Sequence, residues 1–122
     1  IIVAQILLGT QVRENMDGVI RLVGENAKNQ WIENLDSIYI IHRTFSWVIL
    51  ASHYYLWQKV RHTALAETRY VKGFVFLIGL SLISGVIMAY LALPLGSQPI
   101  HLLSSLMLFG LHVHAWLITR TA

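Results

Sequence analysis

Two histidines stand near the starts of long apolar runs in this chain, and no cysteine accompanies them. His42 is followed directly by Arg43 inside the run from Ser37 to Trp57, and His101 follows Pro99-Ile100 in the run from Pro99 to Ile118. Ionisable side chains are costly in a segment long enough to cross a bilayer, and those found there usually serve a function. With zero cysteines, disulfides, thiolate metal sites and cysteine nucleophiles are excluded, so a metal or cofactor must be held by histidine or oxygen. Two neutral imidazoles facing each other across a helical bundle suit the two axial positions of a haem iron. Arg43, beside one ligand at the wet end of such a site, is placed to pair with a propionate, and so is Arg13 at the end of the first apolar run.

The elements that must position these residues are membrane helices. Of 122 residues, 56% are hydrophobic and 12% charged, and the mean hydropathy is +0.60, far more apolar than a soluble domain of this size requires. The runs predict an all-α, polytopic four-helix bundle in one domain spanning 1–122. Its helices are expected at about 1–12, 37–57, 70–93 and 99–118, with an outer loop over 13–36 that carries one or two helical turns. The first run spans only about 18 Å at 1.5 Å per residue, short of a hydrocarbon core of about 30 Å. It also lacks signal-peptide grammar. The expectation is therefore a truncated first helix in the back part of a longer protein.

In the third helix Ser81, Gly85 and Ala89 recur every four residues, a small face for close packing. Pro94 closes that helix, and Pro99 sits in the first turn of the next.

Loop charge orients the bundle. The connector from Arg13 to Ser37 holds three basic residues against five acidic ones, whereas the loop from Gln58 to Lys72 holds four against one. The positive-inside rule puts the second loop inside, so the helices of His42 and His101 both enter from the outer face. His42 lies about five residues into its helix and His101 about two, a difference in depth of about 5 Å. They can share one plane.

Other readings remain open from the residues alone. A lone intramembrane histidine often only hydrogen-bonds a neighbouring helix, and a structural or proton-relaying bundle would need no haem. His53 and His112 each lie 11 residues beyond the first pair, on the same faces and about 16 Å deeper, where a second haem is geometrically conceivable. That pattern fits a free-standing mono- or di-haem cytochrome. His62 falls in a charged loop, and His114 is off the face of His112. The formal charge of +3 is divided among loops with no stripe to follow phosphates, which excludes nucleic acid as a partner. No hydrolytic triad or phosphate-binding glycine loop is present.

The chain also has the look of a weak duplication, with Leu7-Leu8-Gly9-Thr10-Gln11-Val12 loosely like Leu82-Ile83-Ser84-Gly85-Val86-Ile87, each preceding a helix with a histidine near its outer end. Together, Leu8-Gly9-Thr10-Gln11-Val12-Arg13-Glu14, His42-Arg43 and Gln98-Pro99-Ile100-His101-Leu102-Leu103 resemble the carboxy-terminal four-helix half of haem A synthase, over essentially the whole chain. That membrane enzyme oxidises a methyl group of haem O to the formyl group of haem A.

The resemblance implies one half of an eight-helix pseudo-twofold protein of the bacterial cytoplasmic membrane. It implies that His42 and His101 are axial ligands of a haem b that passes electrons, near the outer face. The amino-terminal half would bind the substrate haem, and haem O synthase or an electron donor are further partners. A glutamate held to be catalytic stands three residues ahead of the second-helix histidine in the first half; here that position is Tyr39. No catalytic residue is therefore expected in this half, and the activity belongs to the longer protein.

Overall fold

The computed structural model describes residues 1–62 and 69–121. Among them the chain is helical without strands: α1 (Ile2–Val23), α2 (Lys28–Trp31), α3 (Ser37–Val60), α4 (Arg69–Tyr90) and α5 (Ser97–Thr121). Most of the polar loop expected before Arg69, including Glu67, lies outside the described residues.

The first helix corrects the expected boundary. Rather than ending at Val12, it runs on through the polar stretch to Val23. Nothing between Arg13 and Val23 forbids a helix, and the stretch supplies its own support. Arg13 pairs with Asp17 one turn on at 2.9 Å, and Arg21 Nε donates to the Asp17 carbonyl at 3.2 Å. Asp17, in the stretch expected to be an outer loop, is thus inside α1. Gly24 ends α1 with φ 90°, a conformation open to glycine, and donates its N–H back to Ile20. The extension buries Met16 and Val19 against Trp31 of the one-turn α2, whose indole donates to the Gly24 carbonyl. Asn15 accepts the Asp36 N–H, and Asp36 caps α3 through the Ser37 N–H. The expected outer loop is thus a folded roof tied to the starts of two elements.

The four long helices form a ring. α1 packs on α3 and α5, and α4 packs on α5 and α3. On the diagonals, α1 with α4 and α3 with α5, no Cα atoms among the described residues approach within 8 Å. The two histidine helices therefore face each other across the centre of the bundle.

Outside that centre, large apolar side chains such as Val48, Phe76, Ile83 and Leu103 are exposed on the long helices, a surface suited to lipid or to another apolar body. α4 and α5 are each long and apolar enough to cross a membrane, with mean hydropathies of 2.1 and 1.4 over Tyr70–Tyr90 and Ser97–Ile118. The fold is that of a helical membrane bundle.

Candidate functional site

His42 of α3 and His101 of α5 meet across the diagonal, with ring centroids 6.3 Å apart and planes at 71°. They line a cavity of about 840 Å³ bounded by all four long helices and roofed by Ile32 and Leu35. A volume of that size holds a large cofactor.

Glycine makes the seat for each imidazole. A Cβ built on Gly9 of α1 would lie 3.2 Å from Cε1 of His42, and one on Gly85 of α4 would lie 3.3 Å from Cε1 of His101. Each ring is thus laid against a neighbouring helix at a point where only hydrogen fits comfortably. The small face of α4 accordingly does more than let helices approach, because Gly85 shapes the seat of His101.

The same construction recurs around each ring. Four residues before the glycines, Gln5 and Ser81 reach the residues four beyond the histidines: Gln5 Nε2 donates to Ser46 Oγ at 2.7 Å, and Ser81 Oγ lies 3.2 Å from Ser105 Oγ. Ser46 and Ser105 in turn donate to the carbonyls of His42 and His101. The duplication is real in space, but Gly9 corresponds to Gly85. The register is shifted by one residue from the alignment of Leu7 with Leu82.

The two rings differ at Nδ1. On His101 it donates to the Ser81 carbonyl at 2.8 Å, with Ser84 Oγ at 3.0 Å; a carbonyl only accepts, so the proton is on Nδ1 and Nε2 is bare. On His42 the buried Nδ1 has the Gln5 backbone as its neighbour without a well-formed hydrogen bond, and Oε1 of Gln5 has no partner among the described residues. Among the described residues neither Nε2 atom is fully buried or hydrogen-bonded, which leaves these two nitrogens for a ligand in the cavity.

This donor set fits a metal held between two imidazoles. With metal–nitrogen bonds of about 2.0–2.1 Å, opposed imidazole ligands place their centroids about 6.4 Å apart. The observed 6.3 Å matches that spacing. A backbone carbonyl on the far nitrogen is a common hydrogen-bond partner of a ligating histidine.

Arg13, Arg43, Tyr39 and Gln98 line the cavity at the end nearer α2. Arg43 is exposed with no carboxylate partner among the described residues, whereas Arg13 lies within α1 rather than at its exit and is engaged with Asp17.

His53 and His112 also meet, but closely. Their Nε2 atoms are 3.1 Å apart and their ring centroids 5.0 Å. An iron between opposed nitrogens needs about 4 Å, so this pair offers no gap for a second haem. His62 is exposed beyond α3, and the ring of His114 lies against Tyr70, centroids 5.7 Å apart.

Gln5, Gly9 and Ser84 were not singled out as site residues by type and spacing, and Ser81 and Gly85 were read only as part of a small packing face. Their sequence signal is the four-residue step shared by Gln5-Gly9 with Ser81-Gly85 and by His42-Ser46 with His101-Ser105.

Residues 1–113 match the family model described as cytochrome oxidase assembly protein, COX15-CtaA. The chain belongs to the haem A synthase family. This membership places it among membrane proteins of cytochrome oxidase assembly, whose family activity is that of an oxidoreductase. Neither the curated proteins nor the solved structures contain a match to the chain. In this member of the haem A synthase family Tyr39, one turn before His42, lines the cavity.

Proposed function

We propose that this chain is the electron-carrying half of a haem A synthase, binding one haem b between His42 and His101. The observation that supports it best is the pair of open Nε2 atoms, on rings 6.3 Å apart, inside an apolar cavity of about 840 Å³. Haem bound there supplies one-electron transfer at a potential set by its axial ligands and surroundings. The chain's own residues do the rest. Gly9 and Gly85 let the rings lie against α1 and α4, Ser81 and Ser84 hold His101 in the tautomer that frees Nε2, and the roof excludes water. Arg43, and Arg13 once it yields Asp17, supply positive charge for propionates at the polar end.

In this reading the haem O methyl group is oxidised to the haem A formyl group by the full-length protein, whose amino-terminal half holds the substrate haem. The exposed apolar helix faces meet that half and the lipid of a bacterial cytoplasmic membrane. The polar roof lies on the outer side. At the opposite end Lys59, Arg61 and Arg120 lie over Tyr55, Trp57 and Trp116, a basic-aromatic girdle that suits the inner interface. Haem O synthase and an electron donor are the partners this role requires.

The test is a reduced-minus-oxidised spectrum of the purified chain with haem per polypeptide from pyridine haemochrome, before and after reconstitution. One low-spin b haem is expected, lost in His42→Ala and in His101→Ala and retained in His53→Ala and His112→Ala. A low-spin spectrum that survives His101→Ala removes the ligand assignment. A free-standing mono-haem cytochrome gives the same spectrum; it is separated by the absence of any effect of these variants on haem A formation in the full-length protein.

A further inference from the structure

α3 and α5 meet a second time about 16 Å further along, three turns from the first pair at 1.5 Å per residue. There His53 Nδ1 lies 2.8 Å from the Ile49 carbonyl oxygen, and His112 Nδ1 lies 2.8 Å from that of Leu108. Both carbonyls can only accept, so both Nδ1 atoms carry hydrogen. A neutral imidazole has one N–H. Two neutral rings in this arrangement would therefore turn bare Nε2 lone pairs on each other at 3.1 Å, the length of an N–H···N hydrogen bond that lacks its hydrogen. The neutral alternative moves one hydrogen from Nδ1 to Nε2, and leaves a bare Nδ1 facing a carbonyl oxygen at 2.8 Å. Either neutral form contains one repulsive contact. One additional proton removes it.

We propose that His53 and His112 form a proton-binding site that holds a single proton between their Nε2 atoms. The pair then carries three ring hydrogens, two on the backbone carbonyls and one shared. It takes one proton rather than two, because a second would set two cations within hydrogen-bonding distance.

The surroundings suit a small cation. Phe74 of α4 packs its ring 4.4 Å from that of His112 and 6.1 Å from that of His53, centroid to centroid. A cavity of about 350 Å³ beside the pair, lined by Ile2, Ser52, Leu56 and Phe109, gives a path for the proton. From α3, Lys59 and Arg61 lie over Tyr55 and Trp57; from α5, His114 is turned to Tyr70 of α4. Among the described residues no carboxylate lines that cavity. A metal ion is the weaker occupant, because among the described residues no group of three histidine, aspartate or glutamate side chains converges here, and zinc sites use at least three protein ligands.

The site needs nothing from the first histidine pair. If His42 and His101 hold haem, a proton taken up here offsets part of the charge of an arriving electron, and that consequence alone rests on the proposed function.

The experiment is solid-state NMR of the chain in lipid nanodiscs, without haem, with histidine ring nitrogens labelled by 15N, between pH 8 and pH 5. The expected result is uptake of one proton by the pair, with both Nε2 signals moving together and coupled across the hydrogen bond while both Nδ1 atoms stay protonated. In His112→Gln the coupling is lost and His53 is a neutral ring with hydrogen on Nδ1. Two uncoupled neutral rings throughout the range, or a coupled pair with one bare Nδ1, would overturn the proposal. So would stoichiometric sub-micromolar binding of Zn²⁺ alone that disappears in His112→Gln.

Discussion

Ser84 places its hydroxyl 3.0 Å from Nδ1 of His101, whereas Leu8, the corresponding residue before Gly9, offers His42 no such group. Two otherwise matching seats thus hold their imidazoles unequally. A histidine whose Nδ1–H is well accepted is a stronger electron donor to a metal on Nε2, so with haem bound as proposed His101 would be the more strongly donating ligand.

From this asymmetry, Ser84→Ala should raise the midpoint potential of the bound haem, since weaker donation favours the reduced iron. The Ser81 carbonyl remains, so the expected rise is at most about 40 mV, the one-electron equivalent of roughly 1 kcal/mol for one hydrogen bond. Redox titration reads it, and an unchanged or lowered potential removes Ser84 from the tuning of His101.

The glycine seats predict a graded series. In Gly85→Ala the new methyl meets His101 Cε1 at 3.3 Å, so the ring shifts by a few tenths of an ångström and haem is retained with altered electron paramagnetic resonance g-values. Gly85→Leu overpacks the seat, at a cost of about 1–3 kcal/mol, or roughly 5–150-fold in haem affinity. Undiminished haem retention in the leucine variant would mean that the ring does not need this seat.

Arg43 is exposed at the cavity's polar end with no carboxylate partner among the described residues, so Arg43→Ala should lower haem retention and shift the potential downward by roughly a few tens of millivolts. A cation near propionates favours the less positive, reduced state. Because the group is exposed, the shift should shrink as salt is raised. Equal potentials and occupancies in both proteins at low salt would place the propionates elsewhere.

A prediction on stability comes from the turn between α4 and α5. Ala92 and Leu93 adopt φ of 50° and 56°, where a side chain costs about 1 kcal/mol and glycine costs nothing. Leu93 also packs on the Met16, Val19 and Trp31 cluster, so it is best left in place. Ala92→Gly should raise the midpoint of thermal unfolding in detergent by a few degrees, and a lowered midpoint would count against the strained turn.

Much of this protein is set by local sequence. The apolar runs that hold His42 and His101 require helices, because a backbone in lipid must satisfy its own hydrogen bonds. The absence of cysteine leaves no thiolate donor, and the step of 11 residues to His53 and His112 keeps each helix's two histidines on one face. These facts depend on residue type and helical pitch, which are legible along one strand of sequence.

What the tertiary structure decided depends on distances between elements. That α1 continues past Arg13 to Val23 follows from packing Met16 and Val19 on Trp31, a contact between residues remote in local pattern. That the first histidine pair stands 6.3 Å apart while the second closes to 5.0 Å is set by how α3 and α5 sit across the ring of helices, and it separates two pairs with identical spacing into one open to a metal and one closed on itself. The seats at Gly9 and Gly85 belong to the same level, because a glycine's value lies in what its neighbour places in the missing Cβ's space.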